Sequence, residues 1–258
     1  MRSLLFNVLF YLNLIVMMIL GLPMILGGRS GISALARSWG SISVWLLDII
    51  CSLRVEYRGV ENIPPGGVII AAKHQSFLET FALLKHAPDF AIILKRQLTF
   101  IPIFGLYLIV AQQIAIDRGR GRLALQQIIA AAKSVIAADR QIFIYPEGTR
   151  RPPGARPKYK NGVAAIYSEI GVPCVPVAVN TGLLWPRRSF LRRPGVAVIE
   201  YLPPIGPGLE RRPFADLLED RIEVACGRLN AEALSRDPSL KSLLVEGANF
   251  DTATRPAS

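Results

Sequence analysis

The first apolar stretch is uninterrupted by charge: from residue 4 to residue 26 no Asp, Glu, Lys or Arg occurs, and Leu, Ile, Val, Met and Phe dominate. At about 1.5 Å per residue a helix over this run reaches roughly 35 Å, enough for a hydrocarbon layer of about 30 Å. Asn7, Asn13, Gly21 and Pro23 break its uniformity. A second, less apolar stretch at 39–53 carries Asp48 and follows a link containing Gly27, Gly28, Arg29, Ser30 and Gly31. Two arrangements fit: a spanning helix, or a helical hairpin that enters one leaflet and returns.

After residue 53 the pattern becomes short apolar runs punctuated by Gly and Pro. It predicts strands over 54–57, 68–72, 90–94, 113–116, 141–145, 174–179 and 196–201. Helices are predicted over 77–85, 98–109, 122–138, 162–170 and 214–233. Strands alternating with helices indicate an α/β domain with a largely parallel mixed sheet flanked by helices. The organisation that follows is a membrane-associated helical segment at 1–53, an α/β domain at 54–246 and a polar, disordered tail at 247–258.

Charge narrows the class of partner. Residues 1–199 hold 23 Lys and Arg against 9 Asp and Glu, a balance of +14, while residues 200–258 hold 7 against 10, a balance of −3. A basic field attracts nucleic acid, anionic lipid and acidic proteins alike, and the apolar N-terminus selects lipid among them. No helix-turn-helix, zinc-finger or aromatic RNA-binding signature accompanies the charge, so no nucleic acid is expected. Arg2 alone flanks one side of the first segment and Arg29 and Arg37 the other, which favours a body on the cytoplasmic side. A cleaved signal peptide is disfavoured by the single Arg2 and the lack of a clear small-residue cleavage site. Cys51, Cys174 and Cys226 have no metal-like spacing and read as reduced core thiols.

Two motifs directly follow predicted strands, at the carboxyl edge where such sheets place their sites. The first is His74-Gln75-Ser76-Phe77-Leu78-Glu79. Five positions along an ideal helix would set His74 and Glu79 about 140° apart, so they do not meet there. Ser76 and Glu79 have the form of a capping box, which leaves His74 in the loop before the helix, free to fold back over its start. A carboxylate then takes one imidazole nitrogen while the other faces a substrate hydroxyl. Taken alone, Glu79 is better explained by capping. His86 reads as an ordinary cation at a helix end, so proton transfer by histidine runs through His74. Neither Ser76 nor Ser168 sits in a Gly-x-Ser-x-Gly elbow, which disfavours a covalent acyl-enzyme.

The second motif is Tyr145-Pro146-Glu147-Gly148-Thr149-Arg150. Gly148 permits a turn, Thr149 adds a hydroxyl and an N–H, and Arg150 offers the two parallel donors that suit a phosphate. A bland turn is the competing reading. Nucleotide-binding Gly-rich loops are absent. Among the other cations, Lys95 and Arg118 leave the same predicted sheet edge as Arg150 and are the candidates for one shared phosphate. The group Arg187, Arg188, Arg192 and Arg193 around Phe190 reads as solvated or facing lipid headgroups.

Four blocks together resemble the glycerolipid acyltransferases, and among them the 1-acylglycerol-3-phosphate (lysophosphatidic acid) acyltransferases. His74 to Glu79 resembles the family's His-x4-Asp block; Lys95-Arg96-Gln97-Leu98 with Pro102 and Gly105 resembles the second. Tyr145 to Arg150 resembles the third, and Val172-Pro173-Cys174-Val175-Pro176-Val177 the fourth. The resemblance covers roughly residues 70–180. It implies the glycerolipid acyltransferase fold behind its membrane segment and transfer of an acyl group from acyl-CoA or acyl carrier protein to the free hydroxyl of lysophosphatidic acid. The product would be phosphatidic acid, made at the inner membrane in contact with anionic lipid, without metal or bound cofactor. His74 would be the general base and Glu79 its orienter. Glu147, Gly148, Thr149 and Arg150, with Lys95 and Arg118, would bind the phosphate, and Pro176 would belong to the acyl-binding block. This chain departs from the pattern at Glu79, where Asp is usual, and at Arg151, where Ser is common. Other expectations are an acyltransferase acting on glycerol 3-phosphate or a lyso-ornithine lipid, and a membrane-anchored basic binding protein.

Overall fold

The computed structural model describes residues 1–245 apart from Arg118 and Arg120, with the backbone alone at Arg122. The tail at 247–258 lies outside the described residues. In chain order the elements are α1 (Arg2–Leu20), α2 (Gly28–Cys51), β1 (Leu53–Arg58), β2 (Val68–Ala72), α3 (Leu78–Ala82) and β3 (Phe90–Lys95). Then come α4 (Phe104–Val110), β4 (Ile114–Ile116), α5 (Gly121–Ala137), β5 (Gln141–Ile144), α6 (Asn161–Ile170), β6 (Cys174–Val179), α7 (Thr181–Leu184), β7 (Gly195–Tyr201) and α8 (Arg211–Arg236).

The strands form one seven-stranded sheet in the order β1-β7-β6-β2-β5-β3-β4. Every neighbouring pair is parallel except β6 with β7. Strands β2, β5 and β6 are buried at every position, which explains why they read as continuous apolar runs: both faces of a parallel sheet are covered. Ile70, Ala72, Phe143, Val175 and Val177 face one core with Phe6, Phe10, Leu47 and Phe81 from α1, α2 and α3. Ile69, Ala71, Ile142 and Ala178 face the other, against Val163, Phe214, Leu218 and Leu229 from α6 and α8. Because β2, β5, β3 and β4 run in one direction, their carboxyl ends share an edge, and the loops after β2 and β5 emerge side by side.

Helices α1 and α2 form a hairpin lying on the body. Phe10 of α1 meets Trp39, Phe77, Phe81 and Trp185 at ring-centre distances of 5.5, 6.0, 5.7 and 6.2 Å. At the other end the Tyr107 hydroxyl donates to the Met18 carbonyl. The first turns of α2 are tied to the loop before β3: Arg29 pairs with Asp89 at 2.8 Å, and Ser33 donates to the same carboxylate. Buried Arg140 holds Asp89 from beneath at 3.0 Å. The outward face of α1 remains apolar, with Leu4, Leu5, Val8, Leu12, Ile15 and Ile19 each about half exposed. Arg2–Leu20 and Leu22–Cys51 are both long and apolar enough to cross a membrane.

The helix predicted over 77–85 is α-helical only over Leu78–Ala82 and continues as a 3-10 turn over Leu83–His86. Two further elements differ from the predicted ones for local reasons. The helix expected over 98–109 is split: a 3-10 turn covers Arg96–Phe100, and α4 starts only after Pro102 and after Ile103, whose φ is +62°. Proline lacks the N–H that an uninterrupted helix needs there. The second apolar helix starts at Gly28 rather than at residue 39. Its glycines permit close approach, since a Cβ at Gly31 would lie 2.3 Å from the Met24 carbonyl oxygen.

Candidate active site

The chain leaves β2 at Ala72, and His74 lies in the loop before α3. Its Nδ1 is 2.9 Å from Glu79 Oε1. The same oxygen accepts the backbone N–H groups of Gln75 and Ser76 at 2.8 and 2.7 Å, and Oε2 accepts the Thr181 hydroxyl at 2.7 Å. Glu79 is fully buried. The capping box is half formed: Glu79 reaches back to the Ser76 N–H, but Ser76 Oγ takes the Leu78 N–H, and Phe77 occupies the cap position. An Nδ1–H donated to a carboxylate leaves Nε2 as the acceptor nitrogen, the form a general base requires. The imidazole also stacks on Tyr145, with ring centres 4.1 Å apart.

The loop after β5 interlocks with this one through the backbone. The His74 N–H donates to Glu147 Oε2 at 2.7 Å, and the Arg151 N–H donates to the His74 carbonyl at 2.8 Å. Gly148 has φ +69°, which favours glycine, and its N–H closes the turn onto the Tyr145 carbonyl. Glu147 does not face outward. It is buried, its Oε1 lies 3.0 Å from Lys73 Nζ, and Lys73 is itself buried between Glu147 and Glu223. Burial pushes the Glu147 carboxyl up to about 7, against the opposing pull of Lys73 and of the His74 N–H. Burial also disfavours the charge on Lys73, but Glu147 and Glu223 outweigh it, so Lys73 is raised and stays protonated.

A group of cations gathers nearby, at the Gly148–Arg150 turn and in the segment after α7. Arg187 donates to the Arg150 carbonyl at 2.9 Å. Partial burial, then the charges of Arg188, Arg150 and Arg151, lower its pKa, which marks a crowded cationic cluster. Thr149 is exposed beside it. Lys95, exposed at the end of β3, shares the sheet edge but stands two strands away from β2. Arg118 lies outside the described residues. Pro176 is not brought to this group: it is buried inside β6, paired in register with Ala71, and its carbonyl accepts the Leu202 N–H. The structure therefore joins His74 and Glu79 to the Gly148–Arg150 turn, and turns Glu147 inward as a support of the His74 peptide.

A protein-family model described as Acyltransferase matches residues 54–180, a span that includes every block above. The 1-acyl-sn-glycerol-3-phosphate acyltransferase of Pseudomonas aeruginosa is 35% identical over 185 residues, covering 72% of this chain and 70% of that protein. The chain belongs to the 1-acyl-sn-glycerol-3-phosphate acyltransferase family. A more distant relative, the alpha 1-acyl-sn-glycerol-3-phosphate acyltransferase of Mus musculus, is 28% identical, over 59% of this chain and 55% of its own length. The same fold occurs in the crystal structure of the 1-acyl-sn-glycerophosphate (LPA) acyltransferase PlsC from Thermotoga maritima. There the TM-score is 0.74 at 24% identity, over 90% of this chain and 98% of that one.

Within this acyltransferase, three contributors lie beyond the span matched by the family model: Thr181 on Glu79, Arg187 on the Arg150 turn, and Glu223 on Lys73. Sequence reasoning missed Thr181 and Glu223 and assigned Arg187 to solvent or lipid headgroups. Thr181 and Arg187 reach the site through tertiary packing that no spacing announces. Glu223 carried one signal, a carboxylate beside the apolar face of a predicted helix.

Proposed function

We propose that this acyltransferase moves a fatty acyl group from an acyl thioester to the free hydroxyl of 1-acylglycerol 3-phosphate at a membrane surface, forming phosphatidate. The observation that carries this reading is the backbone interlock that sets the His74–Glu79 pair beside the Arg150 cluster. An acceptor phosphate held by Arg150, with Arg187 and Lys95 adding to the field, brings its glycerol hydroxyl toward His74 Nε2. His74 removes the hydroxyl proton as the oxygen attacks the thioester carbonyl; the carbon–sulfur bond breaks and the thiolate leaves, taking up the proton. Glu79 stabilises the imidazolium formed in between. The reaction needs neither metal nor bound cofactor, because a thioester is already activated. The donor is acyl-CoA or acyl carrier protein, both of which suit a basic field.

The hairpin supports insertion into one leaflet, since α2 is bonded to the body at Arg29, Ser33 and Arg37 rather than projecting from it. Arg29 and Arg37 lie on the side of the body, which supports a location on the cytoplasmic face of an anionic inner membrane. The test is an assay of purified protein in anionic vesicles with lysophosphatidate and each donor in turn. Phosphatidate formation is the expected result; turnover only of an acceptor without phosphate contradicts the reading.

A further inference from the structure

We propose that Glu223, on the buried side of α8, is a positioning residue for His74, acting through Lys73 and Glu147. The inference rests on the reading of His74 as the general base. Most of the buried residues of α8 are apolar, Phe214, Leu218, Ile222, Ala225, Cys226 and Leu229, with Asn230 the other polar one. Glu223 Oε1 takes Lys73 Nζ at 2.5 Å and the Tyr159 hydroxyl at 2.9 Å. Lys73 Nζ also lies 3.0 Å from Glu147 Oε1 and donates to the Ala155 carbonyl at 2.9 Å. The other Glu147 oxygen accepts the His74 N–H at 2.7 Å. An unbroken chain of contacts thus runs from α8 to the peptide that carries the base, while Glu79 holds the ring from the opposite end.

Stability alone is a poor explanation for this chain. Taking two carboxylates and one ammonium out of water costs more than their attraction commonly returns, and apolar side chains of similar volume fill a core at least as well. What apolar side chains lack is direction. Lys73 sits between two carboxylates, so it is restrained along the line joining them, and Glu147 is restrained with it. Glu219, one turn earlier on α8, accepts the Tyr159 N–H at 3.3 Å, so the same helix also steadies the segment returning from the Gly148 turn.

The chain also has an electrostatic signature. The groups facing Glu147 are Lys73, the His74 backbone, Tyr159, and Glu223 and Cys226 from α8. Cys226 is pushed up to about 12 and Tyr159 well above its usual value, mainly by burial, so both are neutral near pH 7. Burial, and to a smaller degree the negative charge of Glu223, raise Glu147 to about 7. Removing that charge lets Glu147 ionise at lower pH.

The experiment compares Glu223→Gln, Glu223→Asp and His74→Ala in the full chain on anionic vesicles, measuring kcat and KM for lysophosphatidate across roughly pH 6–9. Glu223→Gln is expected to lower kcat by about tenfold or more with acceptor KM little changed, and to move the acid limb of the profile to lower pH. Glu223→Asp keeps the charge but withdraws it by one methylene; it lowers kcat and leaves the limb in place. A folded Glu223→Gln with parental kcat and limb, a loss confined to KM, or full activity in Glu223→Asp overturns the inference. Normal Glu223 variants beside an inactive His74→Ala remove this inference alone, whereas an active His74→Ala removes the base assignment beneath it.

Discussion

Around His74, the carboxylate of Glu79 has both oxygens bonded inside the protein, to two backbone N–H groups, the imidazole and Thr181. Around Gly148 the arrangement is the reverse: Arg150, Arg187 and Arg188 crowd one another at a partly exposed turn, and their mutual repulsion raises the local potential. The first region is preorganised for a proton whose position has little tolerance. Under the proposed function the second receives an anion that arrives from outside and relieves the repulsion. Damage to the first should therefore strike turnover, and damage to the second should strike acceptor affinity.

Apart from His74 itself, the largest expected effect is at Glu79. Glu79→Gln leaves an oxygen for the three donors at Oε1, and the Thr181 hydroxyl can rotate to accept from the new amide; the fold survives but the charge is lost. Its kcat should fall by about 10²-fold with little change in acceptor KM, measured by steady-state kinetics on vesicles. Glu79→Asp, although Asp is usual in the family, should cost about tenfold here. The loop is spaced for the longer side chain, and the shorter one withdraws from His74 Nδ1. A rise in KM without loss of kcat in either variant would break the division between the two regions.

On the other side, Arg150→Ala should raise the KM for lysophosphatidate by about 10- to 100-fold with kcat much less affected, the loss of a charge-assisted contact of about 1.5–3 kcal/mol. Arg187→Ala should raise it by a smaller factor, since Arg187 is more remote and also supports the Arg150 backbone. Raising salt should mimic both changes weakly. An unchanged KM in Arg150→Ala removes that residue from the phosphate site.

The smallest effect concerns stability. Glu147 titrates at about 7 in the folded chain against an ordinary 4.5. Between those values the unfolded chain binds fewer protons, so this group's contribution to stability is present below about pH 4.5 and is lost as pH rises through about 7. Glu147→Gln should flatten that part of the curve when denaturation midpoints in detergent are compared at about pH 5 and pH 7.5. Equal slopes in parent and variant would contradict a buried, raised Glu147.

Much of the sheet is legible in the sequence because buried parallel strands are short runs with hard boundaries: β2 and β6 coincide with the predicted 68–72 and 174–179. Helix limits are less legible wherever one residue overrides a pattern, as Pro102 does before α4, or where glycines taken for a break allow close packing, as at the start of α2. The His74–Glu79 pairing follows from local spacing, since the ring contact and the one formed bond of the capping box are both local. The inward turn of Glu147 is not legible, because it depends on Lys73 meeting a carboxylate 150 residues away. The same long-range dependence hides Thr181, which is 102 residues from the carboxylate it supports.

The reaction proposed above has His74 take the acceptor's proton in a site whose phosphate end lies at Arg150. Its most direct test is kcat of His74→Ala on lysophosphatidate in anionic vesicles at saturating acyl donor, with the melting temperature measured on the same preparation. The expected loss is about 10²- to 10⁴-fold with melting little changed. Turnover within a few-fold of the parent enzyme would contradict it.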